Sequence, residues 1–183
     1  MILLVGSCAS GGTVPTTTPE PTPSGFTRYT APPNQIPQVS LGTTQLRLTQ
    51  SAWRVNGQYR VAVPPSAENV VQTRVAWRPK SARLVFRVDS PVVPSQAAVL
   101  IFERVPEGVV PNEPEGRILD CVKGPGCSVA ANGTDHVEVA VASDPVLPAV
   151  VVLDMQYATL EPADTKEGIA TYGASWAARV SEP

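Results

Sequence analysis

The chain is short of the residues from which catalytic and metal centres are built. Among its 183 residues there is one histidine, His136, and there are three cysteines, Cys8, Cys121 and Cys127. A structural zinc site takes about four ligands, usually in close pairs, so two nearby thiols and one imidazole fall short of it. No metal and no other cofactor is expected. Any Ser-His-Asp arrangement has to be built around His136, which stands on the wet side of an alternating run. The carboxylates Asp120, Asp135, Glu138, Asp144, Asp154, Asp164 and Glu167 lack the one-three-five spacing of a calcium loop. A phosphate-binding glycine loop, a nucleotide fingerprint and a zinc-binding helix motif are all missing. Aromatic residues make up 5% of the chain and are scattered, which leaves no stacking platform for nucleic acid. The apolar run Ile2 to Val5 is far below the roughly 20 residues that cross a bilayer as a helix. An enzyme is therefore not expected, and a hydrolase built on His136 is a distant alternative.

What the chain does have is β pattern. From about Val39 to Pro183 short apolar runs are punctuated by Gly and Pro, over roughly 145 residues, enough to bury one core. Ala82 to Asp89 sets Ala82, Leu84, Phe86 and Val88 on one face and Arg83, Arg87 and Asp89 on the other. This alternation predicts a half-buried strand. Val71 to Arg78 and His136 to Val141 alternate in the same way. Ala97 to Phe102 and Ala149 to Leu153 are continuously apolar, as in strands covered on both faces. Weaker candidates are Gln45 to Thr49, Gln58 to Val63, Arg117 to Val122 and Thr171 to Val180, for roughly nine strands in all. Prolines at 64, 65, 79, 91, 94, 106, 111, 114, 145, 148 and 162 interrupt any long helix. The expected fold is all-β, a single β-sandwich of immunoglobulin-like or related type, with Asn56-Gly57 and Asn132-Gly133 as hairpin turns. Asp154, following an apolar run, is expected to be partly buried with a structural partner such as an arginine, since a lone buried carboxylate is costly.

The N-terminal end reads differently. Residues 13 to 38 hold Val14-Pro15-Thr16-Thr17-Thr18-Pro19-Glu20-Pro21-Thr22-Pro23 and Ala31-Pro32-Pro33, with little to bury. Such a segment cannot offset the entropy of folding, so a disordered linker is expected, extended toward polyproline II at about 3.1 Å per residue and serving as a spacer. Ahead of it, Val5-Gly6-Ser7-Cys8 places an aliphatic residue and two small residues directly before a cysteine. This tetrapeptide resembles the lipobox of bacterial lipoprotein signal peptides. The resemblance covers only these residues and the polar Ala9 to Gly12. It implies lipidation of Cys8, which becomes the mature N-terminus, and two or three acyl chains hold a membrane where one holds only marginally. The organisation that follows is a short signal segment over 1–7, a lipid-anchored Pro/Thr-rich spacer over 8–38 and a sandwich over 39–183, working on the extracytoplasmic side of a bacterial cell envelope.

Cys121 and Cys127 enclose Val122-Lys123-Gly124-Pro125-Gly126, whose Gly-Pro-Gly centre turns the chain back. A disulfide is expected in preference to two free thiols, and so small a ring contributes about 2 kcal/mol by loop entropy.

Charge is distributed unevenly. Residues 1–88 hold nine Lys or Arg and two acidic residues, whereas 89–183 hold five and fourteen. If strands of the two halves interleave, this becomes cross-strand pairing. If they form separate sheets, Arg47, Arg54, Arg60, Arg74, Arg78, Arg83 and Arg87 make a basic face for an anionic partner. Two functions follow as expectations. The first is a non-catalytic envelope subunit that docks on another envelope protein or an anionic envelope polymer, through a sheet edge or the arginine face. The second is a binding module for a sugar or small ligand, in a cleft formed by the Cys121 to Cys127 hairpin and the Val105 to Pro111 loop. There Trp53, Trp77 and Trp176 stack on the ligand if exposed and belong to the core if buried.

Overall fold

The computed structural model describes residues 28–55, 58–62, 73–77, 83–105, 115–142, 147–160 and 169–182. Their strands are β1 (Val39–Leu41), β2 (Thr44–Gln45), β3 (Arg47–Val55), β4 (Gln58–Ala62), β5 (Arg74–Ala76) and β6 (Leu84–Val88). They continue with β7 (Gln96–Phe102), β8 (Arg117–Asp120), β9 (Cys127–Asn132), β10 (His136–Val141), β11 (Val150–Leu160) and β12 (Ile169–Ser181). These form a five-stranded sheet in the order β2-β1-β6-β10-β9 and a seven-stranded sheet in the order β4-β3-β12-β11-β7-β8, with β5 joining β12. All pairings are antiparallel except the parallel contact of β5 with β12. The fold is all-β and sandwich-like, with twelve strands among the described residues where the pattern predicted roughly nine.

Alternation decides which side chains enter the core. On β6 Leu84, Phe86 and Val88 are buried, and on β10 Val137, Val139 and Val141 are buried, facing the same way through direct pairing of the two strands. From the other sheet come Trp53, Val99, Leu153, Met155, Tyr157, Tyr172 and Trp176, all in one continuous core with the first set. Trp53 packs edge-on against Tyr157 at 5.6 Å and Tyr172 at 6.0 Å, a geometry that places ring edges on ring faces. Two of the three tryptophans are therefore core, and Trp77 packs against it half-buried.

β7 is covered on both faces, as its unbroken apolar sequence predicts. Ala97, Val99 and Ile101 enter the main core, whereas Leu100 and Phe102 join Val150 in a smaller cluster on the outside of the seven-stranded sheet. Val105 and Val152 pack against this cluster, and the Arg179 guanidinium donates to the Val105 carbonyl at 3.1 Å.

The halves of the chain interleave in both sheets. First-half β6 lies between β1 and second-half β10, and first-half β3 lies beside β12. One pair of opposite charges from the two halves accordingly meets, Arg87 with Asp135 at 3.3 Å, beside the local contact of Arg87 with Asp89 at 3.2 Å. Residues 28–38, read as spacer from composition, lie along the sandwich. The Thr30 amide donates to the Ala158 carbonyl at 2.8 Å, and Ile36 packs on the core.

Candidate functional site

The outer face of the seven-stranded sheet changes character along its strands. At one end Leu100, Phe102 and Val152 form the small apolar cluster. Two residues further along, the same face turns polar over a floor of small side chains. Asp154 stands opposite Ala98 on β7 and Ser175 on β12, Ser175 stands opposite Gln50 on β3, and Gly173 lies between Gln156 and Ala52. Gln50, Ala52, Tyr59, Asp154, Gln156 and Thr171 line an open trough of about 220 Å³ here, with Gly173, Ala174 and Ser175 beneath.

Local backbone features shape the trough. The pairing of β12 with β3 shifts between Ser175 and Trp176, so that Thr49 is left without a direct opposite. Bulges of this kind re-aim side chains. The Thr49 hydroxyl donates to the Ser175 carbonyl at 2.9 Å and closes the irregularity. Across the β11-β12 pair the Ser175 hydroxyl donates to Asp154 Oδ2 at 2.6 Å, and Gln156 Nε2 donates to Asp154 Oδ1 at 3.5 Å. The half-buried Asp154 carboxylate thus has structural partners, as expected, in a serine and a glutamine rather than an arginine. At the rim, the exposed Tyr59 donates its hydroxyl to the Thr171 carbonyl at 3.5 Å.

The residues singled out from sequence are not gathered here. Cys8 and Arg78 lie outside the described residues. Arg47, Arg54, Arg60 and Arg74 belong to the seven-stranded sheet, and Arg83 precedes β6 while Arg87 lies within it, in the five-stranded sheet. Arg54 and Arg60 lie on the paired strands β3 and β4 but on opposite faces, Arg54 opposite Tyr59 and Arg60 opposite Trp53. Asn56-Gly57 lies outside the described residues between β3 and β4, which do pair antiparallel; Asn132-Gly133 leads from β9 to β10, with Gly133 at a φ of 73°.

His136 is on the outer face of the five-stranded sheet, yet its side chain is only 12% exposed. Its Nδ1 contacts Asp135 Oδ1 at 2.7 Å and its Nε2 lies 3.7 Å from Glu138 Oε1. The hydrogen bond from His136, helped by the nearby Arg87 guanidinium, holds the Asp135 carboxyl below the usual value. Among the described residues no three of His, Cys, Asp and Glu are placed to hold a metal ion.

Cys121 and Cys127 are joined by a disulfide. Cys121 follows β8 of the larger sheet and Cys127 opens β9 of the smaller one, so the bond staples the crossing between sheets. The Asp120 carboxylate accepts from the Val122 and Lys123 amides at 2.8 and 2.9 Å, and the Gly124 amide donates to the Asp120 carbonyl at 2.9 Å. A Cβ on Gly124 would approach that carbonyl oxygen to 2.7 Å, which is why glycine stands there. The companion loop proposed for a ligand cleft falls largely in residues 106–114, outside the described residues.

No protein-family model, curated protein or solved structure matches this chain. Among the described residues no helix is long and apolar enough to cross a membrane. The trough escaped sequence reading because its residues come from four strands, with no local motif; the one signal in sequence was Gly173 inside an otherwise apolar, aromatic strand pattern.

Proposed function

We propose that this chain is a non-catalytic protein of the bacterial cell envelope, anchored on the extracytoplasmic side through a lipidated Cys8, whose sandwich docks on another envelope component. The observation that carries docking is strand β4. All five of its residues are exposed, and β3 is its one neighbour among the described residues. Tyr59 and Val61 are 56% and 62% exposed on it. A strand edge of this kind is a template for pairing with another chain, with exposed apolar side chains adding area. Arg54, directly opposite Tyr59 on β3 and on its face, suits a partner with acidic groups, whether an envelope protein or an anionic polymer. The disulfide supports an oxidising compartment.

The test is photo-crosslinking in intact envelopes with the probe at Val61. One dominant adduct at Val61, missing when the probe sits at Ser128 on the opposite sheet, supports docking through β4; equal or no labelling at the two positions contradicts it.

A second reading, an envelope-tethered binding module for a sugar or small ligand, is favoured by the trough between Tyr59, Asp154 and Gln50.

A further inference from the structure

We propose that the trough on the outer face of the seven-stranded sheet binds a neutral hexopyranose, seated over Gly173 between the Tyr59 ring and the Asp154 carboxylate. This rests on the second reading above and names its ligand class and residues.

Gly173 is the starting point. It sits in the interior of β12, paired on both sides, where glycine weakens a strand. Its φ is not in the left-handed region. The nearest atoms to an added Cβ are the Gln156 Cγ and the Met155 carbonyl oxygen, both at an ordinary 3.8 Å. Neither backbone conformation nor packing therefore requires glycine at this position. What its missing side chain does provide is space above the floor, and close approach of a ligand to the backbone is one reason for a glycine in a strand interior, beside the bulge that here falls further on, between Ser175 and Trp176. Ala52 opposite it is equally small.

The groups around that space select the ligand. Asp154 only accepts when ionised, the Gln50 and Gln156 amides both donate and accept, and the Ser175 and Thr171 hydroxyls do either. Vicinal hydroxyl groups, each a donor and an acceptor, satisfy such a mixed set. An anion meets the Asp154 charge and no cation among the lining residues. An ammonium group meets amide N–H donors beside the carboxylate. Tyr59, its ring exposed at the rim and its hydroxyl held by the Thr171 carbonyl, supplies a face for the C–H side of a pyranose. The volume of about 220 Å³ is below the roughly 300–1,000 Å³ of sites for drug-sized ligands, and admits one ring at a time. That ring is a free sugar or one unit of an envelope glycan.

The experiment is a ¹⁵N amide titration of the full chain with glucose, galactose, mannose and N-acetylglucosamine, with neutral oligosaccharides of the same sugars, and with ethanolamine as a cationic probe. Saturable shifts of Gln50, Ala52, Gln156, Gly173 and Ser175 with at least one neutral sugar are expected. Tighter binding of the oligosaccharide identifies a glycan as the source, and binding no tighter than the monosaccharide identifies the free sugar. Gly173→Ala and Tyr59→Ala should each weaken binding about tenfold or more, while Gly173→Ala unfolds at the same temperature as the parent chain or higher. That second readout separates a filled trough from a damaged fold. Sugar binding indifferent to both substitutions overturns the proposal. Shifts with ethanolamine alone overturn it and leave the ligand-module reading standing, and silence with every probe overturns both.

Discussion

The Ser175 hydroxyl donates a 2.6 Å hydrogen bond to the Asp154 carboxylate, across two strands that hold the residues directly opposite each other. A half-buried carboxylate loses water that something must replace, and here a cross-strand hydroxyl replaces it. Ser175→Ala should destabilise the fold by about 1 kcal/mol, the usual worth of such a bond at a partly exposed site. Urea unfolding measures it. Asp154→Asn should shrink the effect of Ser175→Ala in a double-mutant cycle, and additive losses would contradict direct coupling.

Tyr157 gives the opposite expectation. Its hydroxyl is buried in the core without a hydrogen-bond partner among the described residues, and a buried polar group left unpaired costs stability. Tyr157→Phe should be neutral or stabilising by up to about 1 kcal/mol. Burial also pushes the phenol above its usual value of 10.0. A group whose value is raised on folding contributes stability that is fully present below the unfolded value and is lost as the pH rises through that value toward the folded one. Stability of the parent chain should therefore fall above about pH 10, and the Phe variant should fall less. Parallel unfolding curves through alkaline pH would contradict the burial of this phenol.

Asp135 responds at the acidic end. His136 donates to it and lowers its value from 3.8, so its contribution to stability is present above that value and is lost as the pH falls through the lower folded one. Carboxyl-carbon NMR should find Asp135 titrating below 3.8 in the parent chain and moving upward in His136→Ala. An unmoved titration would mean that the 2.7 Å contact does not govern it.

The disulfide has a modest predicted weight. Cys121→Ser with Cys127→Ser should cost about 2 kcal/mol, less where the Asp120 hydrogen bonds hold the loop without it. The domain should still fold, because Cys121 and Cys127 are two members of a much larger core that includes Trp53, Phe86, Leu153 and Trp176. Loss of the folded amide spectrum in the double variant would contradict this.

Much of the fold is legible in the chain itself. Leu84 to Val88 and His136 to Val141 alternate strictly, and the structure buries the residues that the alternation selects. The extent of β11 is not legible in the same way: the pattern marks Ala149 to Leu153, yet the strand runs on to Leu160, with the polar Asp154 and Gln156 facing outward while Met155 and Tyr157 face the core. β9, with Ser128, Ala130 and Ala131 among its six residues, has too weak a side-chain signal to mark a strand and is held by pairing with β10. Gln45 to Thr49 divides between β2 and β3 because Leu46 turns inward and its amide donates to the Val39 carbonyl. The trough is less legible still, since strand pairing brings residues near 50, 59, 155 and 173 together and no spacing in the chain anticipates it.

The proposed lipid tether at Cys8 would decide where the β4 edge and the trough meet their partners. Its most direct test is the intact mass of the protein extracted from its native membrane. A chain beginning at Cys8 and carrying a diacylglyceryl group, which gains two hydrogen masses on reduction, is expected. A chain that retains Met1, with an unmodified thiol at Cys8, would contradict it.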